Sequence, residues 1–154
     1  MNDHIACILQ NLAVQQFKFR DFSLKHTNKN MLSPNIDLTA IARVLLQAFD
    51  HWGVSKVDQL ALLGLNPRNQ STLKRMRDGG GISTRRDALE RSAHLLAIHK
   101  QLRTLFPHNR DVAYGWMTIP NKAFNGISPI NLIRDFGFTG LLMVRGYLDK
   151  TAGN

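Results

Sequence analysis

The chain is short of the residues that most enzymes use. Of its 154 residues only one is a cysteine, Cys7. An intramolecular disulfide is excluded, and a reducing compartment, the cytoplasm, is expected. Cys7 has no local activating motif. Glu90 is the sole glutamate, which leaves few candidates for a general base. The histidines (His4, His26, His51, His94, His99 and His108) form no i, i+4 pair and no carboxylate-partnered motif of the kind that binds zinc. His94 and His99 lie five positions apart, the wrong spacing for one helix face. The triplet Gly79–Gly81 neither follows a strand nor precedes Gly-Lys-Ser/Thr, so it is a poor phosphate-binding loop. No apolar run approaches the roughly 20 residues that cross a bilayer. Asp3 and His4 stand before an interrupted apolar stretch, a poor signal peptide. Neither catalysis, a metal nor a cofactor is expected.

What is present is positive charge and a core. Apolar residues make up 44% of the chain, enough to pack, and the formal net charge is +9. The charge is uneven, with a net +5 over residues 35–104 and +2 over 105–154. Between Arg68 and Arg86 six basic residues face one acid, Asp78. Such a cluster suits a polyanionic partner, because cations that neutralise phosphates release condensed counterions.

The apolar spacing is helical throughout, and no strand pattern stands out, so the fold class is all-α. Residues 1–34 read as a partly helical leader with a linker at 28–35. Asp37 is placed to cap a helix with an apolar face at Leu38, Ile41, Ala42, Leu45, Phe49 and Trp52, ended by Gly53. Ser55 starts the next, with Asp58 three positions on as a variant capping box and Leu60, Ala61 and Leu63 inward. After the break at Gly64–Pro67, a third helix runs from about Asn69 to Arg77. Ser83 is expected to cap a longer one reaching Phe106, with Arg91, Lys100 and Arg103 in water. Asn109 or Asp111 opens a brief helix through Trp116. Ser128 with Pro129 at the first position opens another, ended by Gly137, and a last helix carries Leu141, Val144, Tyr147 and Leu148.

Helices 55–63 and 69–77 have helix-turn-helix proportions. In that motif the second helix enters the major groove. Its polar half here is Asn69, Gln70, Ser71, Thr72, Lys74 and Arg75, preceded by Arg68. Asn and Gln can pair with adenine and Arg with guanine, while Ser and Thr suit phosphates or base edges. Ser55 and Lys56 are candidates to hold a backbone phosphate. A solvated helix pair in a bundle that never touches DNA shares the same pattern.

The run from Trp116 to Pro129 holds two helix starts, turn residues and large apolar side chains, but no pair of groups suited to catalysis. Asn121 suits a turn whose amide satisfies loop backbone, and Gly126 permits positive φ. Trp116, Phe124 and Phe138 serve either as core or as interface anchors. Such a segment docks onto something.

From about Asp37 onward the chain resembles the Xre/MbcA/ParS-type antitoxins. The resemblance rests on Trp116, Pro120-Asn121, Phe124, Gly126 and Ser128-Pro129, continuing through Leu132-Ile133, Gly137, Val144 and Leu148. Upstream it rests on Trp52-Gly53, Ser55, Leu62-Leu63-Gly64 and the helix to Arg77. It implies an Xre-like helix-turn-helix domain over 35–104 and a toxin-binding domain over 105–154. It further implies a homodimer of a type II toxin–antitoxin system that binds operator DNA. The cognate toxin would be a RES-domain, NAD-consuming protein or an ADP-ribosyltransferase, with its active site covered. Toxin contacts are then expected from Trp116, Asn121, Phe124, Gly126 and Pro129. The end of the chain, from Tyr147, departs from the family's usual glycine-bearing terminal segment. Arg145 and Lys150 are the candidates to face an anionic NAD site. The alternative is a stand-alone helix-turn-helix regulator whose C-terminal segment dimerises or binds a small ligand.

Overall fold

The computed structural model describes residues 36–153. The leader, with Cys7, lies outside the described residues. Six α-helices follow in order: α1 (Leu38–Trp52), α2 (Lys56–Leu62), α3 (Gln70–Arg77), α4 (Arg86–Leu105), α5 (Arg110–Gly115) and α6 (Pro129–Thr151), with a 3₁₀ turn at Lys122–Phe124 before α6. The described residues contain no strand; a single antiparallel bridge joins Asn121 and Ile127. The fold is all-α, and residues from Leu38 onward form one compact unit.

Helix starts follow side-chain chemistry. Ser55 Oγ accepts the Asp58 N–H at 3.2 Å and donates to Asp58 Oδ2 at 2.7 Å, fixing the first turn of α2. Asn109 and Ser128 cap α5 and α6 in the same way, through Val112 N and Asn131 N. Ser83 does not cap α4. Its hydroxyl accepts from Arg85 N at 3.2 Å in a local turn, and Arg85 itself occupies the cap position. A serine hydroxyl reaches an N–H two residues on as readily as one inside a helix, so the sequence signal misplaced the start by two residues.

The core is built on α1 and α4. Helix α1 contributes Ile41, Leu45 and Phe49, and α4 contributes Leu95, Leu96, Ile98 and Leu102, all sealed from solvent. In α2 the buried leucines are Leu60 and Leu62, while Leu63 and Ala61 are only half-buried. The difference from the expected inward Leu63 arises because α2 packs on two elements, α3 and α6, and its apolar face turns toward both. Arg91 is not in open water either. Its Nη1 donates to the Leu62 carbonyl at 3.2 Å, and its guanidinium lies over the Phe138 ring at 5.4 Å. This satisfies an otherwise orphaned carbonyl at the end of α2. Gly64, with no side chain, leaves the room: a Cβ there would sit 2.7 Å from Arg91 Nε.

Helix α6 is two limbs. Gly137 adopts φ 60° and ψ −128°, a conformation closed to side chains, and the helix changes direction there. Gly140 sits against the first limb so tightly that a Cβ would be 2.3 Å from the Leu132 carbonyl oxygen. The second limb buries Leu141, Val144 and Leu148, and α6 as a whole packs along α4 and α2.

Candidate nucleic-acid and toxin interfaces

Helices α2 and α3 pack on each other and on opposite partners, α6 and α1. Leu73 and Met76 point inward at 4% exposure, as the spacing required. The opposite face of α3 is free: Asn69, Gln70, Ser71, Lys74 and Arg75 are exposed, and Thr72 is half-buried. Arg68 is exposed in the preceding turn, which its N–H closes onto Asn66 Oδ1 at 2.9 Å. Ser55 and Lys56 are exposed at the start of α2. The structure therefore brings the predicted readers onto one helix face and its flanks.

Their side chains are not equally available. Lys74 Nζ pairs with Asp78 at 2.7 Å, but both are largely exposed and the exchange for a phosphate costs little. Arg75 is engaged: its Nη1 donates to the Gly81 carbonyl at 2.8 Å while its own carbonyl accepts Gly80 N at 2.8 Å. It clasps the glycine turn after α3. Arg77 turns away to Asp50, at 2.9 and 3.3 Å, and to Gln59 Oε1 at 3.2 Å. The hydrogen bonds it donates to the Asp50 carboxylate raise its pKa above the ordinary arginine value.

The second region begins at Trp116. Asn121 Oδ1 accepts Ala123 N at 2.9 Å, and Asn121 O accepts both Phe124 N and Gly126 N. Asn121 N donates to Ile127 O, and Ile130 N to Met117 O. Asn125 (φ 54°) and Gly126 (φ 81°) take left-handed conformations to close the turn. Residues 117–130 are thus a self-bonded, preorganised loop. Phe124 is buried and meets Tyr147 at 5.3 Å and half-buried Trp116 at 6.2 Å; Trp116 stacks on Tyr147 at 6.1 Å. Phe124 and Pro129 therefore support the loop from beneath, while Asn121 is half-buried and Gly126 exposed.

Of the two candidate cations, Lys150 is exposed and Arg145 is held. Arg145 Nε donates to both Asp149 oxygens at 2.9 and 3.0 Å. Gln101 Nε2 also donates to Asp149 Oδ1, tying α4 to α6. Five large apolar side chains that the sequence reading left unassigned are exposed here: Ile119, Ile127, Phe136, Leu142 and Met143. For Leu142 and Met143 the signal was visible as positions out of phase with 141, 144 and 148.

A ring cluster ties α1, α4 and α5 together. His51 of α1 stacks on Tyr114 of α5 at 4.4 Å and on His99 of α4 at 5.7 Å, with Trp52 edge-on to His99 at 5.9 Å. His99 is 3% exposed and its Nδ1 has no hydrogen-bond partner. Burial, with a smaller contribution from His51, lowers its pKa to about 4. Burial also lowers that of His94, whose ring lies edge-on to Phe138. Among the described residues no cluster of three or more His, Cys, Asp or Glu is placed to hold a metal, and no helix is long and apolar enough to cross a membrane.

A helix-turn-helix with an open basic face, joined to a helical unit with a preformed loop, defines the class: a helix-turn-helix protein with a C-terminal helical module. Residues 41–97 match the antitoxin Xre-like helix-turn-helix domain, and residues 101–153 match the antitoxin Xre/MbcA/ParS C-terminal toxin-binding domain. The chain is also 33% identical over 124 residues to the uncharacterized protein y4oB of Sinorhizobium fredii, a match covering 79% of this chain and 93% of that protein. The chain belongs to the Xre/MbcA/ParS family of antitoxins. Its domains are those of a helix-turn-helix, toxin-binding antitoxin, a family that is typically non-enzymatic.

Proposed function

We propose that this protein neutralises a cognate toxin by covering its active site and, as a homodimer, binds operator DNA to repress its own operon. Toxin binding falls to the domain from about residue 105 onward, and DNA binding to residues 35–104. Gln70, Ser71 and Lys74 of α3 are the DNA contacts with free side chains or a cheaply broken pair, flanked by Arg68, Asn69, Thr72, Ser55 and Lys56. Arg75 orders the turn behind them. On the toxin side Asn121, Gly126 and Lys150 meet the partner, while Trp116, Phe124 and Pro129 hold the loop in shape and Arg145 stays with Asp149.

The observation that carries this reading is the coexistence of two unlike surfaces in one compact unit. One is the polar, basic face of α3. The other is an apolar-rich surface around a self-bonded loop. Neutralisation by coverage needs shape and no catalytic group. The toxin is proposed to be of the RES-domain, NAD-consuming type, which places the protein's work in the cytoplasm.

The test is co-expression with the product of the adjacent gene, following growth and cellular NAD, alongside a gel shift on the promoter region. Toxicity relieved by this chain, falling NAD without it, and a promoter shift that exceeds that of random DNA are expected. No toxicity, with the shift retained, would leave a stand-alone regulator instead.

A further inference from the structure

We propose that the outward strip of the second α6 limb, formed by Thr139, Leu142, Met143, Gly146 and Lys150, is the surface on which an acidic protein partner docks. On the antitoxin reading above, from which this inference follows, that partner is the toxin. Among the described residues eight large apolar side chains are exposed, and seven of them (all but Val57) lie between residues 112 and 143. That concentration is inside the stretch matching the toxin-binding domain. Leu142 and Met143 are 44% and 48% exposed in mid-helix. At 3.6 residues per turn, positions 139, 142, 143, 146 and 150 share one face, opposite Leu141, Val144 and Leu148, which pack inward.

The two glycines of this limb separate internal need from external need. Gly140 is required by the protein's own packing, against the Leu132 carbonyl. Gly146 is not: a Cβ there would meet nothing within 4 Å, and its backbone is helical. A mid-helix glycine weakens a helix relative to alanine. Its absent side chain, beside two exposed apolar ones, leaves a flat shelf that lets a foreign surface approach the helix closely.

Charge decides the occupant. Lys150 lies on the strip and Lys122 on the neighbouring loop; both are exposed and make no ion pair among the described residues. Arg145, alongside, is neutralised by Asp149. The chain as a whole carries +9. A second copy brings the same sign to the contact, whereas a partner with an apolar ridge framed by carboxylates is drawn to it.

Three variants test this: Leu142→Asp, Gly146→Trp and Lys150→Glu. The full chain is purified with the toxic product of its adjacent gene, and binding is followed by surface plasmon resonance at several salt concentrations. Thermal melts of the free variants check the fold, and all three positions are open enough to keep it. The expected result is a loss of affinity of at least about thirtyfold for Leu142→Asp and Gly146→Trp, mostly in the off-rate, the size of a truncated interface hot spot. Lys150→Glu should slow association and flatten its salt dependence. Wild-type chain that fails to neutralise the adjacent product overturns the antitoxin reading itself. Neutralisation by wild type with all three variants binding within twofold overturns the strip alone. Variants that convert a free dimer to a monomer in light scattering, with toxin affinity unchanged, assign the strip to a second copy and overturn the proposal as well.

Discussion

Lowering the pH from 7.5 to 4 should weaken this fold through one buried imidazole, His99. In the native state its ring is 3% exposed, wedged between His51, Trp52 and Tyr114, and Nδ1 finds no partner. Burial leaves the neutral form favoured down to about pH 4, against an ordinary value of 6.5. The unfolded chain binds a proton below 6.5 that the folded chain refuses. The contribution to stability is therefore intact above pH 6.5 and is lost progressively as pH falls toward 4, below which both states are protonated and no further loss accrues. A difference of that size corresponds to about 3 kcal/mol at most, a large part of the about 5–15 kcal/mol by which domains are stable. Urea melts of wild type and His99→Gln at pH 7.5, 6, 5 and 4 measure it. Every other titratable group is common to both proteins, so the difference between them reports on His99. The wild type should lose about 2–3 kcal/mol more than the variant across the window. Identical pH dependence in the two would refute the buried, unpartnered histidine as its cause.

Other outcomes follow from single contacts. Gly140→Ala should cost about 2–3 kcal/mol or more, because the added methyl meets backbone oxygen that cannot move aside, whereas Gly146→Ala should stabilise by about 0.5–1 kcal/mol; paired thermal melts compare them. Phe124→Ala should cost about 3–5 kcal/mol by circular-dichroism melt, since the ring is core to the Trp116–Tyr147 cluster. On DNA, Gln70→Ala should cost about 1–3 kcal/mol on the preferred operator and relax discrimination. Lys74→Ala should weaken all sequences alike and lower the salt slope by about one; a salt-titrated gel shift separates the two.

Much of this was legible in the chain because it is local chemistry. Ser55, Asn109 and Ser128 cap helices because a short side-chain oxygen reaches an N–H two or three residues away. Gly137 breaks α6 because no other residue tolerates its φ and ψ together. The inward Leu73 and Met76 leave the polar face of α3 outside, so the candidate readers were recognisable from spacing alone. Ser83 misled because two geometries use the same hydroxyl. Arg75 looked free because its partner, the Gly81 carbonyl, depends on how the glycine turn folds back.

By itself the sequence determined the all-α class, the helix pair and the turn-rich loop before α6, since periodicity, caps and turn residues act within a few positions of one another; the family was legible in the resemblance of its motifs. Only the tertiary structure decided which residues stand in water and which are held. It placed Arg91 over the ring of Phe138, joined Gln101 to Arg145 through Asp149, and buried His99 against rings from two other helices. It also carried α4 unbroken through the point where the helix-turn-helix and toxin-binding matches meet, so the two share one core. These contacts bring together residues dozens of positions apart. Desolvation and ion pairing depend on that distance in space, which spacing along the chain does not encode.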